Sequence, residues 1–266
     1  MFVKICYNNY MKRIVFKFFV MMTVFVTFAL GQAFAAKLPV QVECEVADGS
    51  IIVADIYYPV VKKKKYSTIV LLHSLGYNSS RWSDFAEGLA NSGFAVVAID
   101  FRGHGKSVYT AKLNRQSWTN YKREVFKKYP EDVLAILKLI KEEHPKLSFD
   151  EWGIVGADIG SNVAVLVAEQ ARVKPRTLVL ISPHETYKGL FIPIAIVNIG
   201  KIPLLTVASK FDRTSLKAQV VLQKYAQSDF IIKNFDSSIS GMLMLSNPEI
   251  STYITSWLES KVAQFE

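Results

Sequence analysis

The 266-residue chain has only two cysteines, Cys6 and Cys44, and only four histidines. Cys6 lies in an N-terminal apolar stretch with the features of a removable leader. Its loss leaves Cys44 alone and excludes an internal disulfide, even though an exported protein meets the oxidising conditions in which one forms. No Cys/His pair stands at metal-ligand spacing, so neither a metal nor another cofactor is expected. Internal repeats, Pro/Gly/Ser-rich linkers and low-complexity tracts are lacking, which leaves one domain as the simplest count. Histidine is also absent from everything after His184, and that absence bears on the chemistry below. Half of the residues are apolar and 21% are charged, a globular rather than a disordered composition.

The stretch MKRIVFKFFVMMTVFVTFALGQAFA, residues 11–35, begins with Lys12 and Arg13. A mostly apolar run to Leu30 follows, then Ala33-Phe34-Ala35. Basic flank, apolar segment and small-x-small site read as a secretory signal peptide cleaved after Ala35, with the domain at 36–266. The alternative is an uncleaved anchor, but the uninterrupted apolar run Phe18–Leu30 is short of the ~20 residues a bilayer span needs. Met11 is an alternative start. Export to the periplasm or extracellular space is expected, with no stable membrane insertion after cleavage. Removal of Lys4, Lys12, Arg13 and Lys17 lowers the formal net charge from +9 to +5. So mild a basicity is weak support for an anionic partner, and no nucleic acid is expected. The run Lys62-Lys63-Lys64-Lys65 reads as a solvated loop, with a contact to anionic polymer or lipid as the alternative.

The domain alternates strand and helix patterns. VQVECEVADGSIIVADIYYP alternates apolar and polar residues on both sides of Asp48-Gly49, a hairpin signal. TIVLLH (68–73) and FAVVAID (94–100) are continuous apolar runs, as expected of strands covered on both faces. Between them, SSRWSDFAEGLANSG has helical spacing of Trp82, Phe85 and Leu89. Residues 101–128 read as a long loop or a small helical excursion. PEDVLAILKLIKEEH follows as a helix with Pro130 at its start. EWGIVG, TLVLIS, IPLLTVAS and DFIIKNF read as strands. IGSNVAVLVAEQAR, TSLKAQVVLQKYA and NPEISTYITSWLESKVAQF read as helices, and residues 185–199 as one short helix over the sheet. The pattern predicts an α/β fold: a mostly parallel, doubly wound sheet of about eight strands, with an N-terminal antiparallel hairpin and helices on both faces. In such sheets ligands bind beyond the carboxyl ends of the strands, where the winding reverses.

The segments that follow these strands are HSLG, DFRGHGKS, GADIG, SPHET, ASKFDRTS and FDSSISGML. In this order, over nearly all of residues 40–265, they resemble the α/β-hydrolase family, and its bacterial esterase-like or dienelactone-hydrolase-like subgroup in particular. LLHSLG is similar to the family's oxyanion loop, GFAVVAIDFRGHGKS to its Asp-x-Arg-Gly-x-Gly-x-Ser strand end, and LLTVASKFD to the strand that delivers the catalytic acid. GADIGSN resembles the subgroup's Gly-Ala-Ser-Ile-Gly-Ala-Asn nucleophile elbow. The resemblance implies Asp212 as the acid, and the backbone N–H groups of Leu75 and Ile159 as oxyanion donors. It also implies a Ser–His–acid triad, and there the chain departs from the family. Asp158 stands at the nucleophile. The late loop, where the histidine belongs, reads NFDSSISGMLML and aligns Ser238 with it, give or take a residue or two.

Two of three triad positions are thus substituted, and the other histidines need weighing. His73 in the oxyanion loop and His104 in the RGHGKS turn read as structural. His144 ends a helix, where an imidazolium suits the dipole, and reads as a surface residue. His184 follows the strand expected beside that of Asp158, within reach of Asp158 and Asp212 as a relocated base. Three accounts of Asp158 follow. As a nucleophile, an ionised carboxylate needs no base for its first attack, but the ester it forms needs one for hydrolysis. As the relic of a pseudoenzyme, Asp tolerates the left-handed elbow and its carboxylate caps the helix behind it. As a general base, it activates water. The favoured expectation is a catalytically impaired or inactive family member that retains a pocket for a small-molecule ligand. The alternative is an active hydrolase of small ester or acyl substrates using Asp158, His184 and Asp212.

Overall fold

Alternating side chains around Asp48-Gly49 form the first pairing, β1 (Val40–Glu45) antiparallel to β2 (Ile51–Tyr57), in a computed structural model that describes residues 38–265. The expected leader lies outside the described residues. The apolar runs become β3 (Tyr66–Leu72) and β4 (Ala95–Asp100), followed by β5 (Leu147–Ala157) and β6 (Thr177–Ile181). The short strands β7 (Thr186–Tyr187) and β8 (Leu190–Phe191) form a separate hairpin, and β9 (Leu204–Ser209) and β10 (Phe230–Phe235) complete the main sheet. Its order is β1-β2-β4-β3-β5-β6-β9-β10, and every pairing from β4 across to β10 is parallel. The chain winds outward from β3 to β4, then crosses back to β5 and continues the other way. The ends of β3 and β5 therefore flank the reversal point, where a crevice opens in sheets of this kind.

Helices cover both faces: α1 (Ser83–Asn91), α2 (Arg123–Phe126), α3 (Tyr129–Glu143), α4 (Ile159–Gln170), α5 (Pro193–Asn198), α6 (Arg213–Gln223) and α7 (Pro248–Lys261). Successive strand residues point to opposite faces, so each central strand feeds two cores. Val70 and Leu72 pack with Ile136 and Ile140 of α3 and Val163 and Val167 of α4. Ile69 and Leu71 pack with Phe85 and Leu89 of α1 and Ile250, Ile254 and Leu258 of α7. This two-sided burial is why β3 and β4 read as unbroken apolar runs.

The structure differs from the sequence reading in two places. β5 starts at Leu147, ahead of the EWGIVG run, and its register against β3 shifts between Ser67 and Thr68. The irregularity hides the early part of the strand from a periodicity argument. Residues 185–199 do not form one helix. Lys188 and Gly189 turn the chain at φ 49° and 91°, as a tight hairpin turn requires, and only then does Pro193 open α5.

Beyond β4, Arg102 ties three elements together. Its Nε and Nη2 donate to the Asp132 carboxylate of α3 at 2.5 Å each, and its Nη1 to Asp48 of the hairpin turn at 2.6 Å. Partial burial pushes the Asp48 carboxyl up, but hydrogen bonds from Arg102 and Lys128 outweigh that and hold it well below the usual carboxylate range. The RGHGKS turn is thereby fixed to the sheet and to α3.

Candidate functional site

The elbow is built from backbone crowding. A Cβ on Gly156 would lie 2.2 Å from the Gly160 carbonyl oxygen, and one on Gly160 only 2.1 Å from that of Leu72. Neither position admits a side chain, so the turn can be tight and can press against the end of β3. Asp158, between them, has φ 55° and ψ −118°, an uncommon conformation for a residue with a side chain. It is held there by Asp158 N–H donating to the Ile181 carbonyl at 2.8 Å and by Ser161 N–H donating to the Asp158 carbonyl at 3.0 Å. The Ser161 hydroxyl bonds the carbonyls of Gly156 and Ile181, both at 2.9 Å.

The carboxylate does not cap α4, as the pseudoenzyme account expected. At positive φ the side chain swings off its own helix and over the strand ends. There Oδ2 accepts from the backbone N–H of Leu75 at 3.2 Å, and Oδ1 lies 2.9 Å from His184 Nε2. An ionised carboxylate only accepts, so the imidazole donates. Both side chains are about one-fifth exposed. The His184 ring stacks on Tyr187 at 4.6 Å and 18°. The Tyr187 hydroxyl is pushed up by burial and by the nearby charge of Asp158. Asn162 Nδ2 donates to the His184 and Leu190 carbonyls at 3.0 and 2.9 Å, fixing the start of the β7–β8 hairpin to α4.

The remaining residues named from the sequence are not drawn into this cluster. Asp212 caps α6: Oδ1 accepts from Ser215 N–H at 3.1 Å and Oδ2 from the Ser215 hydroxyl at 2.7 Å. No hydrogen bond or ion pair joins it to His184 among the described residues. Ile159 is fully buried, and no hydrogen bond links it to the Asp158 carboxylate. Ser238 is exposed on the loop after β10. The late-loop residue beside Asp158 is instead Gly241, where an added Cβ would stand 3.8 Å from Asp158 Cβ. Two serines fasten that loop: Gly241 N–H donates to Ser182 Oγ at 2.8 Å, and Met242 N–H to Ser74 Oγ at 3.2 Å.

His73 and His104 have both ring nitrogens engaged by backbone. His73 Nε2 accepts from Phe101 N–H at 3.1 Å and Nδ1 lies 2.8 Å from the Ser74 carbonyl. His104 Nε2 accepts from Gly76 N–H at 3.2 Å and Nδ1 faces the Arg102 carbonyl at 3.2 Å. Burial drives the His73 imidazole down to about 4, and burial with the neighbouring His73 drives His104 to about 3. Both are neutral scaffold groups at neutral pH. His144 is half-buried, not a free surface group, with Nδ1 2.8 Å from Tyr58 Oη. No cluster of three or more His, Cys, Asp or Glu side chains able to hold a metal occurs among the described residues.

Sequence reasoning missed Asn162, Tyr187, Ser74, Ser182 and Gly241. Asn162 ends the GADIGSN motif, and Tyr187 lies three residues past His184, so both carried a positional signal. The two serines and Gly241 carried none, because their role depends on a loop folding back from the far edge of the sheet.

The model of a family described as serine aminopeptidase, S33, matches residues 63–244. Among solved structures, the chain is similar to the acylaminoacyl peptidase of Pyrococcus horikoshii, with 16% identity and a TM-score of 0.66, over 86% of this chain and 42% of that one. This chain therefore spans under half the length of that peptidase. It is also similar to a thermostable carboxyl esterase of Bacillus coagulans, with 14% identity and a TM-score of 0.65, over 84% of this chain and 99% of that one. A dienelactone hydrolase of Anabaena variabilis matches with 14% identity and a TM-score of 0.63, over 85% and 100%. At these identities the likeness speaks for the fold. Comparison with curated proteins gives no match.

Proposed function

Because the chain belongs to the serine aminopeptidase S33 family of α/β hydrolases, we propose that it is an exported, esterase-like member that has lost serine-type hydrolysis and retains its scaffold for binding a small molecule. The observation that carries this reading is the hydrogen bond from Leu75 N–H to Asp158 Oδ2. In a serine hydrolase, such a donor must receive the oxyanion that develops on the substrate. Here a resident carboxylate takes it, so a second negative oxygen at that place meets repulsion instead of an open donor. No hydroxyl stands at the elbow to attack a carbonyl, and the Asp212 carboxylate is engaged by Ser215 rather than an imidazole. Removal of a triad nucleophile or base from a serine protease costs ~10⁶ in kcat, and this chain lacks serine at one position and histidine at the other.

The 2.9 Å contact between His184 and Asp158 favours one second reading, an aspartate-based hydrolase. Oδ1 would attack the acyl carbon of an ester and expel its alcohol, with Oδ2 held by Leu75 N–H. Water would then attack the resulting mixed anhydride, giving its proton to the unprotonated ring nitrogen of His184, which releases the acid and returns the Asp158 carboxylate. The two readings part in an assay of short-chain aryl esters on the purified protein. The expected result is no turnover above background. Turnover that disappears in both Asp158→Asn and His184→Ala would overturn the first reading in favour of the second. Export is checked by the mass of the protein recovered outside the cytoplasm, expected to begin at Ala36.

A further inference from the structure

A separate cavity of about 450 Å³ lies between the oxyanion loop and the excursion after β4. Gly76, next in sequence to the Leu75 donor, forms one side of it; Asn78, His104, Arg115, Trp118 and Asn120 form much of the rest. Its size falls in the range of small-molecule sites. None of its lining residues is acidic, and Arg115 supplies a permanent positive charge. Arg115, exposed to solvent, makes no ion pair among the described residues.

The aromatic wall is fixed in advance, whereas Arg115 and Asn120 are exposed. Trp118 stacks on His104 at 5.4 Å and 10°, and His104 is itself held by Gly76 N–H. Gln116 is bonded to Ser50 and Tyr121. What remains unused is chiefly donor capacity. Asn78 spends its Oδ1 on Ser80, leaving its amide N–H groups, and the Arg115 guanidinium and the Trp118 indole N–H are likewise pure donors. A cavity that offers donors, one cation and a flat aromatic wall suits a ligand rich in acceptors with a single negative charge. A guanidinium pairs with a carboxylate through two parallel hydrogen bonds, amide donors suit hydroxyl oxygens, and an indole suits the C–H face of a ring. One cation balances a carboxylate but leaves a phosphate dianion undercompensated.

We propose that this cavity binds a small hydroxylated carboxylate, of the size and character of a sugar acid, with Arg115 on the carboxylate and Trp118 on the carbon skeleton. The site is independent of whatever chemistry Asp158 performs. Glucuronate serves as the probe, with glucose and inorganic phosphate as the neutral and dianionic controls, in calorimetric titrations of the purified protein. Glucuronate should bind saturably and more tightly than either control. Arg115→Gln should weaken it by about tenfold or more and abolish its advantage over glucose. Trp118→Phe, which keeps an aromatic ring against His104, should weaken glucuronate and glucose alike, while Lys112→Gln, a nearby exposed cation outside the lining, should change nothing. Absence of saturable glucuronate binding, equal or tighter binding of phosphate or glucose, or an Arg115→Gln variant indistinguishable from wild type would overturn the proposal.

Discussion

Asp158 and Asp212 occupy matching places, each at the end of a parallel strand and the start of the helix behind it. Their carboxylates nevertheless do different things. Both Asp212 oxygens go to Ser215, three residues on. The Asp158 oxygens go to Leu75, 83 residues back, and to His184, 26 residues on. The difference lies in the backbone. At φ −84° the Asp212 side chain folds over the first turn of α6 and satisfies donors the helix leaves open. At φ 55° the Asp158 side chain turns away from α4 and joins the ends of β3, β5 and β6. One carboxylate stabilises a helix locally; the other links parts of the sheet that only the complete fold brings together.

The sharpest way to separate the two places is to load the second helical position of each. Gly160→Ala would drive a methyl group against the Leu72 carbonyl, which cannot yield without opening the sheet, and should cost about 3 kcal/mol. Thr214→Ala, the equivalent position in the exposed first turn of α6, should stay within about 0.5 kcal/mol. Urea unfolding of both variants reads this directly, and equal midpoints would remove the distinction. A pH effect follows from the scaffold beside the elbow. His73 and His104 titrate near 4 and 3 in the fold against about 6.5 when unfolded. Below pH 6.5 the unfolded chain takes up protons that the folded one does not, so stability falls on acidification until those folded values are reached. Between pH 6.5 and 5.5 the two together should cost about 2 kcal/mol. A urea midpoint constant over that interval would contradict the burial argument.

The sheet and its winding were legible in the sequence because burial on two faces writes itself as apolar runs such as TIVLLH and FAVVAID. The elbow was legible because only glycine can flank so tight a turn. The approach of His184 to Asp158 was legible as well, since adjacent parallel strands bring their following residues together. The partner of Asp212 was not, because an N-capping carboxylate and a catalytic one look alike until φ is known. The late loop was the least legible part. That NFDSSISGMLML holds no histidine is plain from the sequence, but not that Gly241 would lie against Asp158, held by the serines that follow β3 and β6. The β7–β8 hairpin was hidden by its brevity, two residues per strand.

Two smaller effects sharpen the contrast between the carboxylates. Asp212→Ala removes a helix cap and should cost about 1 kcal/mol, measured by urea unfolding. In a double-mutant cycle with His184→Ala the two losses should add to within about 0.3 kcal/mol, as for sites that share no partner. The same cycle with Tyr187→Leu should not be additive, because Tyr187 stacks on the His184 ring, a contact worth ~0.5–1.5 kcal/mol beyond area burial for an aromatic pair. Partial solvent exposure of His184 places the expected coupling at the lower end of that range. A larger coupling of His184 to Asp212 than to Tyr187 would mean that the acid after β9 does reach the imidazole in solution, and the Asp158 cluster would then have to be redrawn as a three-membered site.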